Sequence, residues 1–148
     1  SITPDALKKN LKLFINEFRM ITDAVDILDA NIINLGIDFS IVVSSKTNKT
    51  VVLNNTLKRL INFFKIDNFH IAQSIIIDEV KSLIYNTEGV VSINGLKFNN
   101  LANVIGGRTY SNEAFSIEKN TLKGILICPD NSIFEVRYGT SDIRGSAT

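Results

Sequence analysis

The chain has 148 residues, 45% of them hydrophobic, and a formal charge of +1. That is one domain's length with enough apolar material to bury a core, and its charge balance excludes the strong basic excess usual in nucleic-acid binders. A single cysteine, Cys128, excludes an internal disulfide and a cysteine-based zinc site, and fits a reducing compartment.

No apolar run is long enough to cross a bilayer, and no signal-peptide pattern opens the sequence. A chain that starts at Ser1 with a helix cap is expected to be an excised or processed piece of a longer polypeptide. Thr3-Pro4-Asp5 is that start: a capping hydroxyl, proline at the first helical position, then an acid near the positive end of the dipole. Leu7, Leu11, Phe14, Ile15 and Phe18 recur at helical spacing and form one apolar stripe. Lys8, Lys9 and Lys12 fall outside it and read as a solvated face.

From Ala24 the period changes to two. Ile33, Leu35, Ile37, Phe39, Ile41 and Val43 alternate with mostly polar neighbours, which predicts a long strand with one buried face. Its phase slips upstream, and a bulge or a bend near Asp29 would reconcile the halves. Asp23, Asp26 and Asp29 do not share a strand face, and no glycine-rich calcium loop follows them, so they are read as solubility charges rather than metal ligands.

After a polar turn at Ser44 to Lys49, Leu53, Leu57, Leu60, Ile61 and Phe64 predict a second helix. Ile66 to Phe69 reads as a turn. His70 is the only histidine, cannot build a triad or zinc site alone, and is expected to be structural or solvent-facing. Ile75-Ile76-Ile77 predicts a short strand, Asp78 a cap, and Val80, Leu83 and Ile84 the inner face of a third helix ending before Gly89. Val90, Val91 and Ile93 start another strand, and Asn94-Gly95 signals a hairpin turn before Leu96 to Phe98.

Asn99 to Thr121 keeps no period, and Gly106-Gly107 interrupts it without a phosphate-loop pattern. Its ordinary reading is a flexible turn; the sharper one is an arm that orders against a partner. Arg108, Tyr110 and Phe115 are the candidate protein-interface residues of this arm, because Arg and aromatic side chains anchor interfaces. Ser111 has no histidine near it in sequence and is not a candidate nucleophile. Leu122 to Cys128 and Ile133 to Tyr138 then predict a C-terminal hairpin, and Gly139 to Thr148 a fraying tail. The element order predicts an α+β domain over residues 1–148: a mixed, largely antiparallel sheet, two or three helices on one face and that hairpin.

These residues resemble the C-terminal part of a baseplate wedge protein of contractile-tailed phages. The similarity is to the large wedge subunit of T-even-like myoviruses and, more distantly, to baseplate J-like proteins. It covers nearly the whole chain, in FRMITDAVDILDANIINLGIDFSIVV (Phe18 to Val43), LKRLINFFKIDNFHIAQSIIIDEVKSLIYNTEGVVSI (Leu57 to Ile93), GGRTYSNEAF (Gly106 to Phe115) and IFEVRYGTSDIRG (Ile133 to Gly145). Ser74 departs from the pattern, which expects proline after Gln73. The resemblance implies a structural virion subunit assembled in the bacterial cytoplasm. It would pair with copies of itself and with other wedge subunits in the inner baseplate ring. It would have no catalytic site, cofactor, metal or small-molecule substrate and no nucleic-acid or membrane partner.

Two other classes remain in view. An enzyme would need paired titratable groups in a cleft, and the lone histidine and cysteine weigh against that. A small nucleic-acid module would use Lys8, Lys9, Lys12, Lys58 and Arg59.

Overall fold

The computed structural model describes residues 29–148. Asn31–Thr148 forms a compact unit built around the long strand β1, Asn31–Val43. Its β-branched and aromatic residues favour the pleated backbone. The odd-numbered row expected from Ile33 to Val43 is buried throughout. The first helix, its three lysines, Asp23 and Asp26 lie outside the described residues; Ala30, beside Asp29, is a bend, and the strand begins only at Asn31.

A helix, α1, spans Lys49–Phe63. Asn48 caps it, its side chain accepting a hydrogen bond from Val51 N at 3.1 Å. The fully buried stripe is Val52, Thr56, Leu60 and, just beyond the helix, Phe64. Leu53, Leu57 and Ile61 are only half-buried flanks, so the inner face is rotated from the one expected. The polar Thr56 hid this: its hydroxyl donates to Val52 O at 2.8 Å, which makes an inward threonine tolerable.

A single turn of 3₁₀ helix, Ile66–Asn68, follows. It returns Phe69 to stack on Phe64, with ring centroids 5.8 Å apart, while Phe64 meets Phe98 edge-on at 6.4 Å. His70 is exposed. Strand β2, Ile75–Ile76, runs directly into α2, Ile77–Tyr85. Asp78 therefore lies inside the first turn rather than at the cap, where it still complements the helix dipole. Ser74 makes a bond that proline could not, accepting from Cys128 N at 3.0 Å through its hydroxyl.

Strand β3, Val90–Leu101, pairs antiparallel with β1 and corrects the first of two hairpin expectations. Asn94-Gly95 makes no turn. Ser40 faces Gly95 and Ile41 faces Ile93, so Asn94 is the extra residue of a bulge inside one continuous strand. A second register shift places Val42 opposite Ser92 and Val43 opposite Val90. Cross-strand pairing of ten residues with β1 outweighs the local turn preference of Asn-Gly.

The segment from 99 to 121 is not a free arm. It completes β3 and then forms a small hairpin of β4, Val104–Ile105, and β5, Arg108–Thr109. Gly106 and Gly107 supply its tight turn with φ of +55° and +80°, the left-handed pair that a two-residue hairpin needs.

The expected C-terminal hairpin is also replaced. Strand β6, Thr121–Leu122, pairs with β7, Ile125–Leu126, and β7 pairs with β2, giving a three-stranded sheet β2-β7-β6. Strand β8, Ser132–Glu135, goes instead to the main sheet, parallel to Asn31 to Asn34 of β1.

The tail, expected to fray, is a core element. After a short helix α3, Gly139–Asp142, strand β9, Ile143–Ala147, runs parallel to Ile37 to Ile41 of β1. Thr148 closes the pairing, donating to Ile41 O at 3.0 Å and accepting from Val43 N at 2.9 Å. Gly145 lies opposite Phe39, and a β-carbon there would overlap the Phe39 ring. The result is an α+β fold. One side of β1 pairs with β3, the other is shared end to end by β8 and β9, and the longer helices α1 and α2 lie against the main sheet. Among the described residues, no helix is long and apolar enough to cross a membrane.

Candidate functional site

The even-numbered face of β1, carrying Asn34, Gly36, Asp38 and Ser40, is polar, and what covers it sets its chemistry. The β4–β5 hairpin and the turn at α3 close over it to leave a small cavity of about 80 Å³, lined among others by Asp38, Asn99, Arg108, Tyr110, Asp142 and Arg144. Register explains the gathering: Asp38 is paired with Lys97 on one side and Arg144 on the other, and Asn99 pairs with Gly36.

The groups are tied in two chains. Arg108 Nε donates to the Tyr110 hydroxyl at 3.2 Å, and that hydroxyl donates to Asp142 Oδ1 at 2.6 Å. The second Asp142 oxygen accepts from Tyr138 N at 3.1 Å. Asp38 accepts from Asn99 Nδ2 at 2.8 Å and from Arg144 Nε at 3.0 Å. Burial, reinforced by the bond to Asp142, pushes the Tyr110 phenol above its ordinary pKa. The hydrogen bond to Tyr110 holds the Arg108 guanidinium above its ordinary value.

A second network fixes the covering segment. Buried Asn34 donates to Glu135 Oε1 at 2.8 Å and accepts from Ser111 N at 2.7 Å. Arg137 donates from Nε to the same Glu135 oxygen at 2.8 Å and from Nη1 to Thr109 O at 3.1 Å, while the Tyr138 hydroxyl donates to Thr109 O at 3.2 Å. Asn100 adds bonds to Asn34 O and from Phe115 N.

Of the three residues expected to contact a partner, the structure brings Arg108 and Tyr110 together and sends Phe115 elsewhere. Tyr110 is only 5% exposed, so it anchors its own chain and is not a surface contact. Phe115 is half-buried edge-on against Phe134, 5.5 Å between centroids. Arg108 remains accessible, its side chain 42% exposed. Asp142 and Arg144 were missed because they lie in a tail whose short polar sequence carries no periodic signal. Asp38 and Asn34 looked like ordinary outward positions of a strand.

The three-stranded sheet offers a different surface. Ile76 is opposite Ile125, and Ile125 opposite Leu122. Ile127, just beyond β7, is exposed between buried Leu126 and Cys128. All four are exposed, Leu122 to 60%. Their row-mates Ile75 and Leu126 turn inward and are buried. Elsewhere, Lys58 and Arg59 are exposed on α1, Arg59 Nη1 lying 3.4 Å from Asn86 O. No protein-family model matches the chain, and no curated protein matches it.

Proposed function

We propose that the chain is a protein–protein assembly domain, serving as a structural subunit of a contractile phage tail baseplate beside copies of itself and other wedge subunits. The observation that carries the assembly reading is the exposed row Leu122, Ile125, Ile76 with Ile127 beside it. Contiguous branched aliphatic side chains held in water on a sheet face mark contact surfaces. Covering each of these side chains contributes roughly 1 kcal/mol, one part of what an interface must supply to offset the cost of association. The baseplate assignment is supported by the sequence resemblance, whose segments take in β1, the second half of α1 and α2.

The experiment is absolute mass by light scattering over a concentration series, for the chain alone and mixed with purified wedge subunits. Self-association or a mixed complex is expected, weakened by Leu122→Glu and by Ile127→Glu. A strict monomer that forms no complex with any wedge subunit would overturn the proposal.

A further inference from the structure

On one side the main sheet ends at β3, and that edge lies open. Thr148 takes the Ile41 carbonyl and the Val43 amide on the β9 side of β1. The main-chain groups of Ile41 and, two residues earlier, Phe39 therefore point away from β3. Their opposite numbers, Ile93 and Leu96, turn their own N–H and C=O groups away from β1. Ladder bonds run instead between Ser40 and Gly95 and between Asp38 and Lys97. Among the described residues no strand pairs with the outward groups of Ile93 and Leu96.

The helix above this edge leaves a space beside it. Asp78, Lys81, Ser82 and Tyr85 share one flank of α2, next to the buried Val80 and Ile84. That flank and β3 border a groove of about 540 Å³ whose β3 wall is Ser92 and Ile93. Successive strand residues point to opposite faces, so a groove that touches both runs along the strand's edge. Tyr85 in its wall and Val91 next to Ser92 are large apolar side chains, 57% and 53% exposed. The sheet has room for one more strand here, beside unpaired main-chain groups.

We infer that this edge is a receptor for a short extended segment of a partner protein. The segment adds to β3 as a strand along residues 91–97 and places alternate apolar side chains in the groove beside α2. Extended backbone is the chemistry that meets the outward N–H and C=O groups of Ile93 and Leu96 together. A second copy of β3 is a poor occupant. Register shifts around Asn94 and Val91 break its regular repeat, and exposed Lys97 brings like charges together across a self-paired edge. This rests on the assembly reading and gives it a second contact. Main-chain bonds would supply its affinity and the groove its selectivity.

The test selects binders to the full chain from a displayed library of random short peptides, then titrates one into isotopically labelled chain. Enriched peptides are expected to carry apolar residues at every second position. The bound peptide should slow hydrogen exchange at the Ile93 and Leu96 amides. The Gly95 and Lys97 amides, already bonded to β1, should change little. Leu96→Pro deletes an outward donor and no ladder bond, a placement that edge strands tolerate. It should weaken binding at least about fivefold, because a peptide carbonyl is left unpaired. Methylating the peptide amides that face β3 should abolish binding with the protein itself unaltered, and methylating the others should not. A library that yields no binder would overturn the inference, as would a peptide bound without slower exchange at Ile93 and Leu96. The same protection in the concentrated chain alone would also overturn it, making a second copy the occupant. Mass measurements separate the two proposals. Peptide binding by a chain that never assembles would remove the assembly reading and leave a peptide receptor. Assembly without peptide binding would do the reverse.

Discussion

The Tyr110 hydroxyl donates to Asp142 Oδ1 across 2.6 Å, joining residues 32 apart in sequence, both nearly inaccessible to solvent. This bond fastens the segment after β5 to the turn that launches β9. Since Asp142 also takes the Tyr138 amide, the carboxylate organises both ends of the polar face.

Tyr110→Phe should therefore destabilise more than the loss of one surface bond. The ring would still pack against Tyr138, 5.5 Å away edge-on, but a buried carboxylate would lose its strongest donor. The expected cost is about 1–3 kcal/mol, read as a lower urea midpoint at unchanged slope. Hydrogen exchange should rise at Ser111, whose amide bonds Asn34.

Gly145→Ala should also destabilise, through overlap with the Phe39 ring. Relief requires Phe39 to leave its place in the core or β9 to move away from β1, at about 1–3 kcal/mol by analogy with other overpacked cores. Thermal unfolding would show it. An unchanged melting temperature would mean that β9 is not seated against Phe39.

Ending the chain at Asp142 tests the tail directly. It strips β9 from Ile37 to Ile41 and removes Ile143, which is 2% exposed. Loss of one buried Ile-sized contact already costs about 2–5 kcal/mol, so cooperative unfolding should be badly weakened or gone by circular dichroism. A truncated chain with full stability would restore the fraying-tail expectation.

Cys128 should be a poor nucleophile. Burial pushes its thiol up to about 11, and its sulfur donates to Ser132 O at 3.4 Å. At pH 8 only about one molecule in a thousand would carry the thiolate. Reaction with a disulfide reagent should thus be about a hundredfold slower in the native chain than in urea.

The same shift sets an alkaline limit to stability. The native state favours the protonated thiol more than the unfolded chain does. Its contribution is complete below the ordinary thiol value of 9.0 and is lost as pH climbs from there through about 11. The raised Tyr110 phenol acts in the same direction. Urea midpoints should fall across this range, and Cys128→Ala should flatten the lower part of the decline.

What the sequence determined by itself is local. The alternation from Ile33 to Val43 specified a strand and its buried face, and the apolar spacings around Leu60 and Ile84 specified two helices, because periods of two and 3.6 are properties of adjacent residues. Strand partners are not encoded that way. Asn94-Gly95 carries a turn's chemistry, yet pairing with β1 on both sides of it turns the pair into a bulge. Leu126 and Phe134 both read as strand, and only the tertiary fold sends one to β2 and the other to β1. The tail Ile143 to Ala147 has almost no pattern; its order comes from the open edge of β1 and from the space that Gly145 leaves for Phe39. For the same reason, the sequence marked Arg108 but not Asp38, Asp142 or Arg144. A cavity formed by residues more than a hundred positions apart exists only once β9 has paired with β1 and the β4–β5 hairpin and the α3 turn have closed over the sheet.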